Sequence, residues 1–367
     1  VFGCTLIYFL LNGEEIEKVG TDVAEYYALI FFVLCGISLS ATFNTLLILF
    51  VGIEIMSIPL YILTGSDKRN LKSTEAGLKY FLMGSFSTGI LLMGIACIYG
   101  GNEAGSFYIS NIGFGTGKLP VLIAIGLVML LVAMSFKVSA APFHFWTPDV
   151  YDGAPTVFTS FMSTLVKAAG FFAFLRLFEN VFGVVHPEWQ RLIAILIVAT
   201  LLIGNITAVF QQSVKRMLAY SSIAQAGFML FALFALNDKG REGIVLYAAA
   251  YSLATIGLFA VLIKLEDYTV EGFNGLGTRQ PLLALVATIC LLSLTGIPLT
   301  AGFQSKFFML MAAVENGHLH WLVIVAVLFA AVSAYYYFRV IQAIYFKPAA
   351  AEAVAAQTRR APRRKSA

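Results

Sequence analysis

The sequence predicts an all-α polytopic membrane protein made of two inverted five-helix repeats, each with a broken transmembrane helix. Three observations carry that prediction. The first is composition: of 367 residues, 59% are hydrophobic and only 12% charged, with a mean hydropathy of +0.85. A soluble domain averages roughly 25% charged residues. The second is a succession of apolar segments near the ~20 residues that a spanning helix needs. The third is that two of these segments are interrupted, and they lie five spans apart. Repeat-built transporters place discontinuous helices at matching points of their halves, and an odd number of helices per unit makes the repeat inverted.

Residues 1–11 supply only half a span, and Val1 is not an initiator Met. This start reads as truncated or processed, because a signal peptide would show a basic leader and a small-residue cleavage site. Apolar runs then cover 26–41, 44–63, 76–99, 119–141 and 155–178, followed by 189–210, 214–236, 243–263, 282–314 and 321–346. The 282–314 run is too long for one straight helix and breaks at Gly296-Ile297-Pro298. The 119–141 run leads into Pro142, Pro148 and Pro155. The expected units are a partial helix and cytoplasmic loop (1–25), the two repeats (26–180 and 181–346) and a basic tail (347–367). Ala- and Arg-rich without periodicity, the tail predicts disorder or contact with anionic lipid.

Loop charge sets the orientation. One alternating set of loops holds Lys18, Lys68, Arg69, Lys72, Lys215, Arg216, Lys264, Arg279 and Lys347, and the tail adds Arg359, Arg360, Arg363, Arg364 and Lys365. The other set holds Lys118, Arg191, Lys239 and Arg241. The richer set, tail included, is therefore expected in the cytoplasm.

Four charges sit deep in apolar runs. Glu54 has no other charge within nine residues on either side. Lys137 lies late in its span, ahead of Pro142. Lys167 completes a stripe with Ser160, Ser163 and Thr164, at the spacing of one helix face. Lys306 follows the second break, near Thr300 and Gln304. Softer polar groups lie between them: Ser221, Ser222 and Gln225 on one helix, Tyr251, Ser252 and Thr255 on the next. A mid-membrane charge costs at least about 2.5–3.5 kcal/mol on insertion scales. Four in one chain imply a shared hydrated interior. Burial disfavours a charged lysine and a nearby carboxylate restores it, so a Glu–Lys pair of variable separation can load and release a proton. The bland alternative, a snorkelling or structurally paired charge, suits Lys79, Arg176 and Arg339 near helix ends better than these four. His144, in PFHFWTPD, has two open readings: a hydrogen-bonded histidine fixing the turn, or a relay between Lys137 and Lys167 or water. His186, His318 and His320 fall in outer loops without a specific assignment. Asp149 and Asp152 are expected to cap or pin the loop before Pro155.

Other chemistries lack their signatures. Cys4, Cys35, Cys97 and Cys290 lie one apiece in apolar runs, with no CxxC or Cys/His cluster, so neither zinc nor a disulfide framework is readable. No Walker loop, dinucleotide fingerprint or nucleophile elbow is present, and the glycine-rich 113–117 follows no strand. The aromatic residues are membrane packers rather than a nucleic-acid surface.

At residues 136–155, FKVSAAPFHFWTPDVYDGAP resembles the F-K-x-S-x-x-P-F-H-x-W-T-P-D-V-Y-x-G-A-P signature of the antiporter-like membrane subunits of respiratory complex I. The runs LLILFVGIEIMSIPLYIL, LKYFLMGSFSTGILLMGIACIYG, VKRMLAYSSIAQAGF and TGIPLTAGFQSKFFML are similar, in the same order, to helices of the subunit N branch of bacterial NADH–quinone oxidoreductase. The resemblance covers nearly the whole chain. It implies an inverted five-plus-five repeat. It makes Glu54 the carboxylate partner of Lys137, Lys167 the connecting lysine and Lys306 the terminal lysine. Lys79, His144, Ser222, Gln225, Tyr251 and Thr255 become possible relay groups.

The implied function is proton translocation coupled to electron transfer from NADH to quinone, in a bacterial inner membrane. No cofactor is expected in this chain; NADH, FMN, iron–sulfur clusters and quinone would belong to partner subunits. The implied partners are a second antiporter-like subunit, a small multi-helix subunit and the lipid bilayer, with no nucleic acid. Two departures stand out. Gln225 replaces the histidine usual in the family's SSIA-H-x-G-Y run, removing a protonatable link. The family pattern also extends further at both ends, by roughly two or three opening helices and one closing helix at ~20 residues each. Sibling subunits carry His then Lys where Tyr251, Ser252 and Thr255 stand, which favours subunit N. The alternatives are a multisubunit cation/proton antiporter, a membrane-bound hydrogenase subunit, or a non-transporting scaffold in which Glu54 and Lys137 tolerate neutral replacement.

Overall fold

The computed structural model describes residues 2–12, 23–113, 119–265, 267–317 and 319–348. Lys18, the glycine-rich stretch beyond Gly113, Lys118, His318 and the basic tail beyond Pro348 lie outside the described residues. A half-length helix α1 (Phe2–Asn12) opens the chain, followed by α2 (Val23–Thr42), α3 (Leu46–Thr64), α4 (Leu71–Gly101) and α5 (Val121–Lys137). After α5 come the short α6 (Trp146–Gly153), α7 (Thr156–Phe161), a π turn (Met162–Val166) and α8 (Lys167–Phe182). The remainder is α9 (His186–Val209), α10 (Val214–Met229), α11 (Phe231–Ala235), α12 (Asp238–Lys264), α13 (Leu276–Arg279), α14 (Pro281–Thr295), α15 (Ala301–Glu315) and α16 (Trp321–Phe346). The described residues form no strand beyond two isolated bridges.

Local chemistry starts several of these helices. Thr45, Asn70, Ser213, Asn237 and Thr300 each accept a backbone N–H of the helix they open. Where α2 crosses α3, small residues bring backbones together: a Cβ on Gly36 would stand 2.4 Å from Met56 N, and one on Gly52 2.7 Å from Ser40 N. In the apolar window of α10, 94% of residues are buried, against 28% for α16. The polar-bearing helix α10 is therefore the axis of the molecule, packed by α6, α9, α12, α15 and α16.

Both expected breaks are present. α5 ends at Lys137, short of the anticipated 141, because Ser139 takes φ +63° and the chain turns through 140–145. Freed backbone is re-satisfied there: Ala140 N–H reaches Ser135 O at 2.8 Å, and Ala141 N–H reaches Thr200 Oγ1 on α9 at 2.9 Å. In the second break Gly296 adopts φ +86° and Leu299 φ +76° before Thr300 caps α15. Two expected boundaries shift. The 155–178 and 189–210 spans are joined by only a 3₁₀ turn, Gly183–Val185, and 214–236 bends at Leu230 and stops where Leu236 turns left-handed. Among the described residues seven helical stretches are long and apolar enough to cross a membrane, 156–209 running as one and each half of the broken helices falling short.

The loops sort into two ends. Asp67, Lys72, Asp152, Lys215 and Tyr268 line one polar vestibule of about 410 Å³. At the other end Arg241 pairs with Glu179 and Asp238, and Lys239 pairs with Glu315. Lys72 and Lys215 thus share one vestibule, and Lys239 and Arg241 lie outside it in ion pairs of their own.

Candidate functional site

The first break brings Lys137 to a cavity wall near Glu54 without joining the two. Both side chains are half-buried. Lys137, the last residue of α5, donates to Ser57 Oγ at 2.6 Å, while Glu54 Oε1 accepts from Thr88 on α4 at 2.8 Å. Ser57 lies one helical turn beyond Glu54, so the ammonium sits one turn along α3 from the carboxylate. A cavity of about 20 Å³ beside Ser57, Thr88 and Lys137 has room for a single water. A cation in a helix's last turn is also favoured by the macrodipole.

Lys167 is deeper, 2% exposed, and starts α8 directly after the π turn. The local sequence explains that turn. Ser163 and Thr164 hydroxyls both donate to the Ser160 carbonyl, at 3.1 and 2.7 Å, competing with the helix's own N–H. Lys167 Nζ donates to the Ser222 carbonyl at 2.8 Å and to its hydroxyl. The expected stripe is buried throughout, and among the described residues Ser160 Oγ has no hydrogen-bond partner.

Lys306 is caught by the second break itself. Proline at 298 has no N–H, so the Leu294 carbonyl loses its helical donor. Lys306 Nζ takes that place, donating to Leu294 O at 2.8 Å and Thr295 O at 2.9 Å, with the Phe228 ring 4.8 Å away. Gln225 Nε2 donates to the same Leu294 carbonyl at 3.0 Å and to the Tyr337 hydroxyl at 3.2 Å. Tyr247 donates to Gln225 Oε1, and the Tyr337 hydroxyl also pairs with Ser221. Among the described residues none of Glu54, Lys137, Lys167 and Lys306 has an oppositely charged partner within 4 Å. Hydroxyls, carbonyls and one ring hold them instead.

The remaining candidates divide. Ser222 and Gln225 stand in the series, and Tyr251 borders the Lys306 cavity. Lys79 does not join it: its ammonium pairs with Glu75 at 2.6 Å and Asp149 at 2.8 Å, on a side chain 41% exposed. His144 lies against Phe145, and among the described residues its Nδ1 has no hydrogen-bond partner. Asp149, expected in a loop, lies in the first turn of α6 and pins that helix by bridging Lys79 and Arg216. Sequence reasoning did not single out Ser57, Thr88, Tyr247 or Tyr337. The position of Ser57 one turn from Glu54 was the one available signal.

An apolar bundle with unpaired lysines at two helix breaks is an unusual combination, and comparison places it. The profile of the family described as "NADH:quinone oxidoreductase/Mrp antiporter, TM" matches residues 44–333. The chain belongs to that family. Within the NADH:quinone oxidoreductase/Mrp antiporter family, it is 44% identical to NADH-quinone oxidoreductase subunit N of Trichlorobacter lovleyi over 346 residues, covering 92% of this chain and 71% of that one. Among solved structures it is similar to a chain of respiratory complex I from Thermus thermophilus, at TM-score 0.81 and 37% identity, over 94% of this chain and 76% of that chain. It is also similar to a chain of the membrane-bound sulfane sulfur reductase, an archaeal respiratory membrane complex. That match has TM-score 0.83 and 29% identity, over 94% of this chain and 72% of the other. The all-α polytopic fold read from the sequence is thus the fold of this family.

Proposed function

We propose that this chain is the proton-translocating subunit N of an NADH–quinone oxidoreductase, converting free energy from electron transfer elsewhere in the complex into proton movement. The observation that carries the reading is the series of three lysines in spanning helices, two of them at helix breaks, all held by neutral groups. A structural charge would be expected to find a carboxylate, since an isolated buried ion is costly. An ammonium on neutral acceptors can lose its proton without leaving an opposite charge stranded.

In the proposed cycle Glu54 and Lys137 exchange between contact and separation. When the carboxylate approaches, it holds the ammonium form; when it withdraws, the proton is released. The state described has them apart, on Thr88 and Ser57. Lys167, on Ser222, is the connecting site, and Lys306, in the carbonyl pair of the second break, is the terminal one that releases outward. Lys79 acts in the ion-pair cluster rather than the series, and His144, Ser222, Tyr251 and Thr255 are the candidate relay groups around it. The two interrupted helices, five spans apart, are read as equivalent members of an inverted repeat, 26–180 and 181–346.

NADH, FMN, iron–sulfur clusters and quinone are assigned to partner subunits, the neighbours being a second antiporter-like subunit and a small multi-helix subunit. The membrane is the bacterial inner membrane, with the basic tail cytoplasmic. Replacing Lys137 or Glu54 with Ala in the assembled complex is expected to abolish most NADH-driven proton uptake into closed vesicles. An assembled mutant with near-normal turnover and gradient overturns the assignment.

A further inference from the structure

Gln225 is a puzzle under the reading just given. It stands on the buried axis helix α10 between two lysine sites, yet a carboxamide cannot take up a proton at near-neutral pH. Its geometry points elsewhere. The side chain is 3% exposed, and its polar capacity is nearly spent: Nε2 donates to the Leu294 carbonyl and the Tyr337 hydroxyl, and Oε1 accepts from Tyr247. Tyr247 and Tyr337 are themselves 2% and 0% exposed, on α12 and α16.

The Leu294 carbonyl is the decisive contact. A carbonyl oxygen has two lone pairs, and here Lys306 occupies one and Gln225 the other. The break at Pro298 has removed the helical N–H that would otherwise fix this peptide. Gln225 replaces that restraint from a neighbouring helix. The amide also joins α10, α12 and α16 at the point where α14 ends, so the group that bonds the Leu294 carbonyl is itself held by two tyrosines.

We propose that Gln225, with Tyr337 as its anchor, is a positioning residue for Lys306: it fixes the Leu294 carbonyl that receives the ammonium. The inference rests on the assignment of Lys306 as a proton-carrying site. It requires a hydrogen-bond donor at position 225, not a titratable group. Histidine can serve and leucine cannot.

The test uses the whole complex in closed vesicles, comparing Gln225→Leu, Gln225→His, Tyr337→Phe and Lys306→Ala. Assembled Gln225→Leu is expected to lower kcat for NADH-driven proton uptake about tenfold, the loss typical of a buried polar group left unpaired. The KM for quinone should stay unchanged, because quinone is assigned to a partner subunit. Gln225→His should restore at least about half of the wild-type kcat, since one ring nitrogen still donates to the carbonyl. If Gln225→Leu does not assemble, Tyr337→Phe decides: it keeps the ring and removes only the hydroxyl, and kcat should fall with KM unmoved. Wild-type kcat in assembled Gln225→Leu or Tyr337→Phe, or equal damage from leucine and histidine, overturns the inference. Lys306→Ala separates the two levels. If it abolishes pumping while Gln225→Leu pumps at the wild-type rate, only the positioning role fails; if it pumps normally, the assignment of Lys306 fails first.

Discussion

At the scale of single residues, neutral hydrogen-bonding groups stand where counter-ions would: Ser57 accepts from Lys137 and Thr88 donates to Glu54. Ser57 and Thr88 show what this implies. Each makes one hydrogen bond to a charged group, 2.6 Å to Lys137 and 2.8 Å to Glu54, and such bonds are worth about 1.5–3 kcal/mol. Ser57→Ala and Thr88→Val should therefore each slow NADH-driven proton uptake by about tenfold, less than loss of the lysine itself, because 1.4 kcal/mol is a factor of ten. Uptake at the wild-type rate in either assembled variant would remove these hydroxyls from the mechanism. The charged residues were legible in the sequence because a lone charge in a long apolar run has few explanations. Thr88 and Tyr337 were not. Threonine and tyrosine are ordinary packing residues of membrane helices, and their partners come from helices distant in sequence.

At the scale of elements, the two breaks were readable and the π turn was not. Gly296-Ile297-Pro298 and the prolines after Lys137 announce interrupted helices through missing N–H groups and left-handed φ. The stretch from Ser160 to Lys167 has regular helical spacing; only the crowding of two hydroxyls on one carbonyl opens it. The second break also depends on a close approach. A Cβ on Gly302 would fall 1.7 Å from the Ser293 carbonyl oxygen, a backbone atom that cannot move aside alone. Gly302→Ala should cost at least about 3 kcal/mol, the upper end of ordinary overpacking, and shift α15 away from α14. Thermal unfolding of the purified complex checks this. A normal midpoint would mean that the break is more pliant than its packing indicates.

At the scale of the molecule, two ends with different polar character frame the lysine series. At the vestibule end an ion cluster ties α4, α6 and α10 together through Asp149, which meets Lys79 at 2.8 Å and Arg216 at 2.9 Å. All three side chains are about a third exposed or more, so solvent weakens the cluster. Asp149→Asn should lower the thermal midpoint by about 2 °C at low salt, with the difference fading as salt screens the pairs. An undiminished difference at high salt would point to packing instead. The order of the apolar helices was legible from hydropathy. The choice of neighbours for each helix was not, since lipid-facing positions are as apolar as core ones: Phe86 is 74% exposed and Leu91 2%, on the same helix.

The π turn ahead of Lys167 has a consequence for how this helix can change length. A π turn holds one residue more than an α turn, so the chain at 162–166 carries a single surplus residue. Removing one residue there would close the turn into regular helix and leave both flanks facing their present neighbours, Ser222 included. Elsewhere in a long span, such as α12, losing one residue would rotate one half against the other by about 100°. The phase of Lys167 is thus insulated from a one-residue deletion at this turn, immediately upstream of the lysine.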